Sequence, residues 1–144
     1  MAGENGYPGN LKIVVIYTLY KEENTLKVVY GAKSDEDTLC NITNHSYFNL
    51  SGNCKRNILN QELYLASSKY GKFDETSIPT QLVDVDENFD FRNMHPIGDY
   101  IDKEDVVKCT NGYDHPFMLD SVEDECAKIC LLDKVSGSSL EIDT

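Results

Sequence analysis

The sequence predicts an all-β fold, an antiparallel β-sandwich. Runs of β-branched and aromatic residues alternate with short polar turns along most of the chain, whereas apolar residues at helical spacing are scarce. The 144 residues suffice for one ordinary domain, which would bury about 68–70% of the surface of the unfolded chain. We therefore expect a single domain over residues 1–144, built from many short strands.

Three apolar runs near the start of the chain predict a β-meander. Residues 11–20 and 25–33 are rich in β-forming residues, and the polar link 21–24 between them has the length of a hairpin turn. A third run, 38–43, follows the acidic turn 34–37. Because short polar links join successive runs, we expect neighbouring antiparallel strands.

The later segments predict further strands and one helix. Residues 62–66 and 81–85 alternate between apolar and polar side chains, as strands do. Residues 126–132 and 139–143, joined by a polar turn, predict a second hairpin, and 97–107 is the best candidate for a helix. The last strand pattern runs to the end of the chain, which predicts that the domain is truncated.

The charge of the chain argues against two classes of partner. A formal net charge of −12 repels phosphate backbones and anionic membrane surfaces, so we expect neither nucleic acid nor a membrane as partner. No apolar run approaches the ~18–20 residues that span a membrane, and the first residues lack the features of a secretory signal. We expect a cytoplasmic protein, and this charge does not disfavour a neutral ligand such as a sugar.

Cysteines and histidines give little support for a disulfide framework or a metal site. The five cysteines are an odd number without a Cys-x-x-Cys pair, so we expect buried free thiols. The three histidines, His45, His95 and His115, show no His-x-x-x-His spacing.

His45 has the most informative surroundings of any residue in the chain. It lies in Asn44-His-Ser-Tyr-Phe-Asn49, between hydrogen-bonding and aromatic side chains. An imidazole titrates near pH 6.5, which suits proton transfer at neutral pH. If a strand ended near Asn44, His45 and Tyr47 would share one face, and Phe48 would anchor the turn in the core. From the residues alone, a structural histidine remains the alternative.

A second cluster surrounds Asp114, in Tyr113-Asp-His-Pro-Phe117. A carboxylate at this position could accept hydrogen bonds from two neighbouring sugar hydroxyls. The alternative is an aspartate that stabilises its own turn. Asp90 and Arg92 are expected to form a structural ion pair.

Several segments, in order along the chain, resemble the aldose 1-epimerase (galactose mutarotase) family. The most specific is Asn41-Ile-Thr-Asn-His-Ser-Tyr-Phe-Asn-Leu50 with Gly52. The other matching segments are 3–10, 17–19, 30–32, 78–80, 89–92 and 112–115. Because they extend over essentially the whole chain, the resemblance is unlike a chance match to one short motif.

The resemblance implies a supersandwich of the galactose mutarotase type, with an open sugar cleft and neither metal nor organic cofactor. It implies interconversion of the α- and β-anomers of free hexoses such as glucose and galactose, by an acid and a base that open the sugar ring. By motif position, His45 is the acid and also contacts the sugar. Ser46 and Tyr47 adjoin the sugar, and Asp114 holds sugar hydroxyls. His115 and Phe117 are structural neighbours.

The sequence also departs from the family pattern. The family's general base, a glutamate, lies downstream of the matching segments, and a sugar-contacting arginine and histidine lie upstream of them. We therefore expect a domain truncated at both ends, with little or no activity alone. Gln81, where glycine is common, and Leu39, where proline is common, are milder departures.

Three interpretations remain open. The first is part of an enzyme that acts on a small-molecule sugar, as a monomer or homodimer. The second is a catalytically inactive sugar-binding pseudoenzyme. The third is a non-functional fragment that aggregates through unpaired strand edges.

Overall fold

The computed structural model describes residues 2–108, 110–121 and 127–144. The chain forms two compact units, residues 1–46 and 47–144. Every strand pair in the described residues is antiparallel. This confirms the predicted all-β class.

The first unit contains one antiparallel hairpin. Its strands are β1 (Leu11–Tyr20) and β2 (Thr25–Ser34), which pair along their whole length. The link between them includes Asn24 at a φ of 50°, a left-handed conformation that asparagine tolerates better than most residues. A short 3₁₀ turn at Glu4–Gly6 precedes the hairpin. The first two predicted strands are confirmed.

The third predicted strand, 38–43, is wrong. All six residues are described, and none belongs to a strand. A strand requires a neighbouring backbone that completes its ladder of hydrogen bonds. The described hairpin consists of β1 and β2 alone, so an apolar pattern at 38–43 is not enough to make a strand.

The second unit contains the other strands that the structure describes. Their bounds are β3 (Glu62–Leu65), β4 (Lys69–Phe73), β5 (Pro79–Asp84), β6 (His95–Pro96), β7 (Phe117–Met118), β8 (Ile129–Asp133) and β9 (Ser138–Ile142). One sheet has the order β6-β3-β8-β9, and the other has the order β5-β4-β7.

The sequence predicted four of these seven strands. β3, β5 and the hairpin of β8 and β9 lie close to the predicted segments, although Cys126, the predicted start of β8, lies outside the described residues. β4 was missed because Lys69-Tyr-Gly-Lys-Phe73 is partly polar and has a central glycine. That glycine is required by packing, since a Cβ atom on Gly71 would lie 2.7 Å from Cγ of Pro116.

The continuous helix predicted over 97–107 is wrong. The structure has a 3₁₀ turn at Ile97–Asp99 and a one-turn helix, α1, at Glu104–Val107. Gly98 donates its amide hydrogen to the carbonyl oxygen of Leu59 at 2.8 Å, outside the segment, and glycine and aspartate are weak helix formers. Of the helices that the structure describes, none is long and apolar enough to cross a membrane.

The core of the second unit is mostly aromatic. Tyr70 stacks on Phe89 with ring centroids 4.0 Å apart, and Val106 lies fully buried in the same cluster. The residues packed around these three are Val83, Val85, Tyr113 and Phe117. Phe91, 1% exposed, contacts Tyr113 and Phe117 edge to face. This cluster supports the segment that carries Asp114.

Candidate functional site

The segment that contains His45 is built from Asx turns. The side-chain oxygen of Asn44 accepts a hydrogen bond from the amide of Ser46 at 2.9 Å, and that of Asn49 accepts one from the amide of Ser51 at 3.0 Å. Such turns satisfy the backbone without a neighbouring strand. The predicted strand end near Asn44 is therefore wrong. The prediction that His45 and Tyr47 share one face depended on that strand and is no longer supported.

The boundary between the two units falls inside this motif, between Ser46 and Tyr47. His45 and Ser46 are exposed at the end of the first unit. Tyr47 begins the second unit and is 88% exposed. Phe48 was predicted to lie in the core but is 47% exposed, so that prediction is wrong.

A buried glutamine holds the chain that follows the motif. Gln61 is 2% exposed. Its Nε2 donates to Oδ1 of Asn49 at 2.8 Å, and its Oε1 accepts from the amide of Leu50 at 3.3 Å. Nδ2 of Asn49 donates to the carbonyl oxygen of Arg56 at 2.7 Å, which closes the loop on itself. Sequence reasoning missed Gln61, because glutamine is normally a surface residue and no local pattern marks it.

An ion pair ties the same loop to the turn between β8 and β9. Nη2 of Arg56 lies 2.6 Å from Oδ2 of Asp133, which is 4% exposed. The hydroxyl of Ser136 donates to the carbonyl oxygen of Leu50 at 2.8 Å. Burial alone would raise the pKa of Asp133, but hydrogen bonds from Val135 and Ser136 and the charge of Arg56 bring that pKa below its usual value.

The residues on either side of Asp114 are fixed by packing. The Tyr113 hydroxyl donates to the carbonyl oxygen of Asn88 at 2.7 Å, and its ring meets Phe89 and Phe91 edge to face. The His115 ring stacks on Phe73 with centroids 4.5 Å apart, and meets Phe89 edge to face at 4.8 Å. These contacts make His115 structural, as expected.

Asp114 itself is exposed between these two packed rings. The amide of Gly71 donates to the carbonyl oxygen of Pro116 at 2.8 Å, and β7 begins at Phe117, so the chain after Asp114 is also held. Within the part of the chain that the structure describes, no hydrogen bond joins the Asp114 carboxylate to its own turn. The alternative of a turn-stabilising aspartate therefore has no support here.

Burial shifts the pKa values of both flanking residues. Desolvation, followed by the charges of Asp105 and Asp99, raises the pKa of the Tyr113 hydroxyl far above its usual range. Desolvation lowers the pKa of His115, against the weaker opposing effects of Asp114 and Asp105. Nδ1 of His115 is buried and has no hydrogen-bond partner among the described residues. Both flanking side chains are therefore neutral at pH 7, which leaves the carboxylate as the charge of this segment.

The predicted ion pair of Asp90 and Arg92 is confirmed. Nε of Arg92 donates to Oδ1 of Asp90 at 2.8 Å, and Nη2 donates to Oδ2 at 2.6 Å. The nearby His95 ring stacks on Phe91 with centroids 4.6 Å apart, and its Nε2 lies 3.2 Å from the carbonyl oxygen of Asp90. These contacts give His95 a structural role.

The structure describes three cysteines. Cys40 and Cys54 are exposed, so the prediction of buried thiols is wrong for them. Cys130 is half-buried, and desolvation raises its pKa. Within the described ranges, no cluster of three histidine, cysteine, aspartate or glutamate residues could hold a metal ion.

Comparison with known proteins gives a consistent result. A family model described as Aldose 1-epimerase matches residues 1–144. Galactose mutarotase of Mus musculus is 37% identical over 146 residues, which cover 99% of this chain and 40% of that protein. Aldose 1-epimerase of Haemophilus influenzae is 34% identical over 151 residues, which cover 99% of this chain and 42% of that protein.

Solved structures agree with the sequence comparison. Galactose 1-epimerase from Lactobacillus acidophilus superposes with a TM-score of 0.81 at 34% identity, covering 92% of this chain and 39% of that one. An aldose epimerase homologue from C. elegans gives a TM-score of 0.78 at 24% identity, which shows a common fold. The chain thus spans about two fifths of the length of these relatives. With the family model matched over residues 1–144, the chain belongs to the aldose 1-epimerase family.

Proposed function

We propose that residues 1–144 supply part of a site that interconverts the α- and β-anomers of free hexoses such as galactose and glucose, with His45 as the proton donor. The relatives named galactose mutarotase and aldose 1-epimerase support this reaction class. The observation that carries the proposal is the placement of Asp114. In a chain of this family, it is an exposed carboxylate on a segment held by buried aromatic packing.

The reaction requires two proton transfers. One group protonates the ring oxygen while another removes the proton of the anomeric hydroxyl, so the ring opens without a full charge building up. Rotation about the C1–C2 bond and closure on the other face then give the other anomer. In our proposal His45 is the acid. It is exposed, and imidazole is a common proton-transfer group in catalysis.

Asp114, Ser46 and Tyr47 hold the sugar in this proposal. A carboxylate accepts hydrogen bonds through both oxygens, which matches two vicinal hydroxyls. Ser46 supplies a hydroxyl beside the acid, and Tyr47 combines a hydroxyl with an exposed ring. We place the general base, a glutamate by family resemblance, outside the matched residues, so we expect little turnover from this chain alone.

A second candidate function is sugar binding without catalysis. It is favoured by the limited span of the match, about two fifths of the relatives' length. Under this alternative, Asp114 and Tyr47 bind a hexose, while His45 transfers no proton.

Two measurements test the proposed site. Polarimetry follows the mutarotation of α-galactose and α-glucose with and without the chain, and we expect a rate close to that of buffer. Calorimetric titration with galactose should show saturable binding that Asp114→Asn abolishes. Asp102→Asn, which neutralises an exposed carboxylate elsewhere in the second unit, is the matched control and should bind as the parent does.

Each outcome has a defined meaning. Turnover that His45→Gln removes would establish His45 as the acid and refute the expectation of low activity. Binding that requires Asp114, without turnover, supports the sugar site and is the result that both candidates predict for this chain alone. Heat exchange that is equal for parent, Asp114→Asn and Asp102→Asn would overturn the assignment of Asp114.

A further inference from the structure

The ring of His115 lies in a pocket of aromatic side chains, next in sequence to the exposed Asp114. It stacks on Phe73 with centroids 4.5 Å apart, and it meets Phe89 and Tyr70 edge to face at 4.8 and 5.6 Å. All of these residues belong to the second unit. Because the ring contacts three others, its position fixes the backbone that follows Asp114.

One nitrogen of this ring lacks a hydrogen-bond partner within the part of the chain that the structure describes. That nitrogen is Nδ1 of His115, and it is buried. In a neutral imidazole one nitrogen is a donor and the other an acceptor, whereas in the imidazolium both are donors. A buried charge that forms no hydrogen bond is far more costly than a buried neutral group. The pocket therefore accommodates the neutral ring and disfavours the imidazolium.

His95 provides a contrast within the same unit. Its ring also stacks on a phenylalanine, Phe91, with centroids 4.6 Å apart. However, its Nδ1 lies 3.0 Å from the carbonyl oxygen of Pro96, and its Nε2 lies 3.2 Å from that of Asp90. A proton on either nitrogen of His95 would meet an acceptor, whereas a proton on Nδ1 of His115 would meet none among the described residues. Protonation should therefore disturb the packing of His115 selectively.

The charges around His115 do not compensate for its burial. Two carboxylates act on the ring, those of Asp114 on its own segment and Asp105 of α1, and both favour the imidazolium. The titratable group in contact with the ring is Tyr70 of β4. Desolvation, followed by the charges of Asp86 and Asp105, raises the pKa of the Tyr70 phenol, which stays uncharged. Desolvation of His115 outweighs the two carboxylates and lowers its pKa.

We propose that His115 is an acid-sensitive latch, a side chain whose neutral form holds Asp114 in place and whose protonated form releases it. The neutral ring anchors residues 114–116 to the aromatic cluster. Protonation at Nδ1 expels the ring into water, which leaves the backbone around Asp114 anchored by Tyr113 and β7 alone. This regulation rests on the proposed function, because its consequence is weaker sugar binding in acid.

Release of the ring becomes easier as the pH falls. A ring in water takes up a proton near pH 6.5, and the packed ring does so at lower pH, because burial lowers its pKa. The latch is therefore fully closed above about pH 6.5 and weakens as the pH falls toward the pKa of the packed ring. Over that window, the equilibrium constant for opening should rise by up to about tenfold for each pH unit.

Hydrogen exchange of the Gly71 amide measures the release. This amide donates to the carbonyl oxygen of Pro116 at 2.8 Å, directly after the latch, so it exchanges faster when the segment opens. With the intrinsic exchange rate at each pH divided out, its protection should be constant above about pH 6.5 and should fall by up to about tenfold per pH unit below it. Amides of the β3–β8 pairing, in the other sheet, should lose less protection because the opening is local.

Two variants assign the effect to one ring. His115→Phe keeps an aromatic ring in the pocket but cannot take up a proton, so the protection of Gly71 should no longer depend on pH over this window. His95→Gln is the matched control. It removes the other histidine of the unit and keeps a hydrogen-bonding side chain, so the pH dependence of Gly71 protection should match that of the parent.

Calorimetric titration with galactose tests the consequence for the proposed site. The affinity of the parent should fall in the same window by up to about tenfold per pH unit, while that of His115→Phe should stay constant. A chain that binds no galactose at any pH would refute the sugar site, and the exchange data would still decide whether the latch exists.

Four results count against the proposal. Titration of the His115 ring above about pH 6.5, followed by NMR, would show that the pocket favours the cation. Protection of Gly71 that is constant across the window, or that falls equally in His115→Phe, would overturn the latch. An equal loss of protection in the β3–β8 pairing would replace local release by global unfolding. Galactose affinity that stays constant while Gly71 loses protection would overturn the regulatory role.

Discussion

Replacing Phe89 by alanine should remove a large part of the stability of the second unit. The ring is 1% exposed, stacks on Tyr70 at 4.0 Å and meets His115 at 4.8 Å. Loss of a fully buried Phe ring costs about 3–5 kcal/mol, including the cavity that remains. Other rings bound this cavity, and they cannot close it without breaking their own contacts. We therefore expect about 4 kcal/mol, against a usual total of about 5–15 kcal/mol for a domain.

Urea unfolding provides the measurement. The chain has nine tyrosines and no tryptophan, so tyrosine fluorescence and far-UV circular dichroism are suitable probes. Phe48→Ala is the matched control. Its ring is 47% exposed, and we expect a loss below about 1 kcal/mol. A loss for Phe89→Ala no greater than that for Phe48→Ala would refute the aromatic cluster as the core of this unit.

Three further predictions concern the same unit. Gly71→Ala should lower the free energy of unfolding by about 1–3 kcal/mol, because the new Cβ would lie 2.7 Å from the ring of Pro116. Gly31→Ala, in the first unit, is the control. Its new Cβ would lie 3.9 Å from the nearest atom, so we expect urea unfolding close to that of the parent. Since burial lowers the pKa of His115 below its unfolded value, the unfolded chain binds more protons. Stability should therefore fall as the pH drops below about 6.5 through the folded pKa, and the thermal midpoint of His115→Asn should depend less on pH over that window. Asp90→Asn should cost below about 1 kcal/mol by urea unfolding, because its ion pair with Arg92 is partly exposed.

The strands that could be predicted are those whose signal is local. β1 and β2 have β-forming runs and a link of hairpin length, and β8 and β9 have the same pattern around a polar turn. In each pair, the two partner strands are separated by only a few residues of sequence. Pairing then requires no information from a distant part of the chain.

The errors have a common cause in distant contacts. β4 was missed because its central glycine, Gly71, is required by the close approach of Pro116. Pro116 lies 45 residues away in the chain, so the local sequence pattern does not indicate this contact. The predicted strand 38–43 has β-forming residues but lacks a described partner. The side chain of Gln61 is buried where it forms hydrogen bonds with Asn49 and Leu50. The residues next to Gln61 in the sequence do not indicate these contacts.

The candidate site was predicted by resemblance more than by pattern. His45, Ser46, Tyr47 and Asp114 were named from their motifs, and their roles remain predictions. The structure adds what the motifs lack: the aromatic packing that holds the segment around Asp114, and the hydrogen bonds of Gln61 that hold the chain after the motif.

The packing around Asp114 has an entropic consequence for any ligand that its carboxylate binds. Fixing the backbone of a mobile residue costs about 1–2 kcal/mol at room temperature. Because the packed rings of Tyr113 and His115 hold the backbone on both sides of Asp114, a ligand avoids about 3–6 kcal/mol that ordering three mobile residues would cost on binding. Folding thus preorganises this carboxylate, and mutations that loosen the rings would weaken binding without touching the ligand.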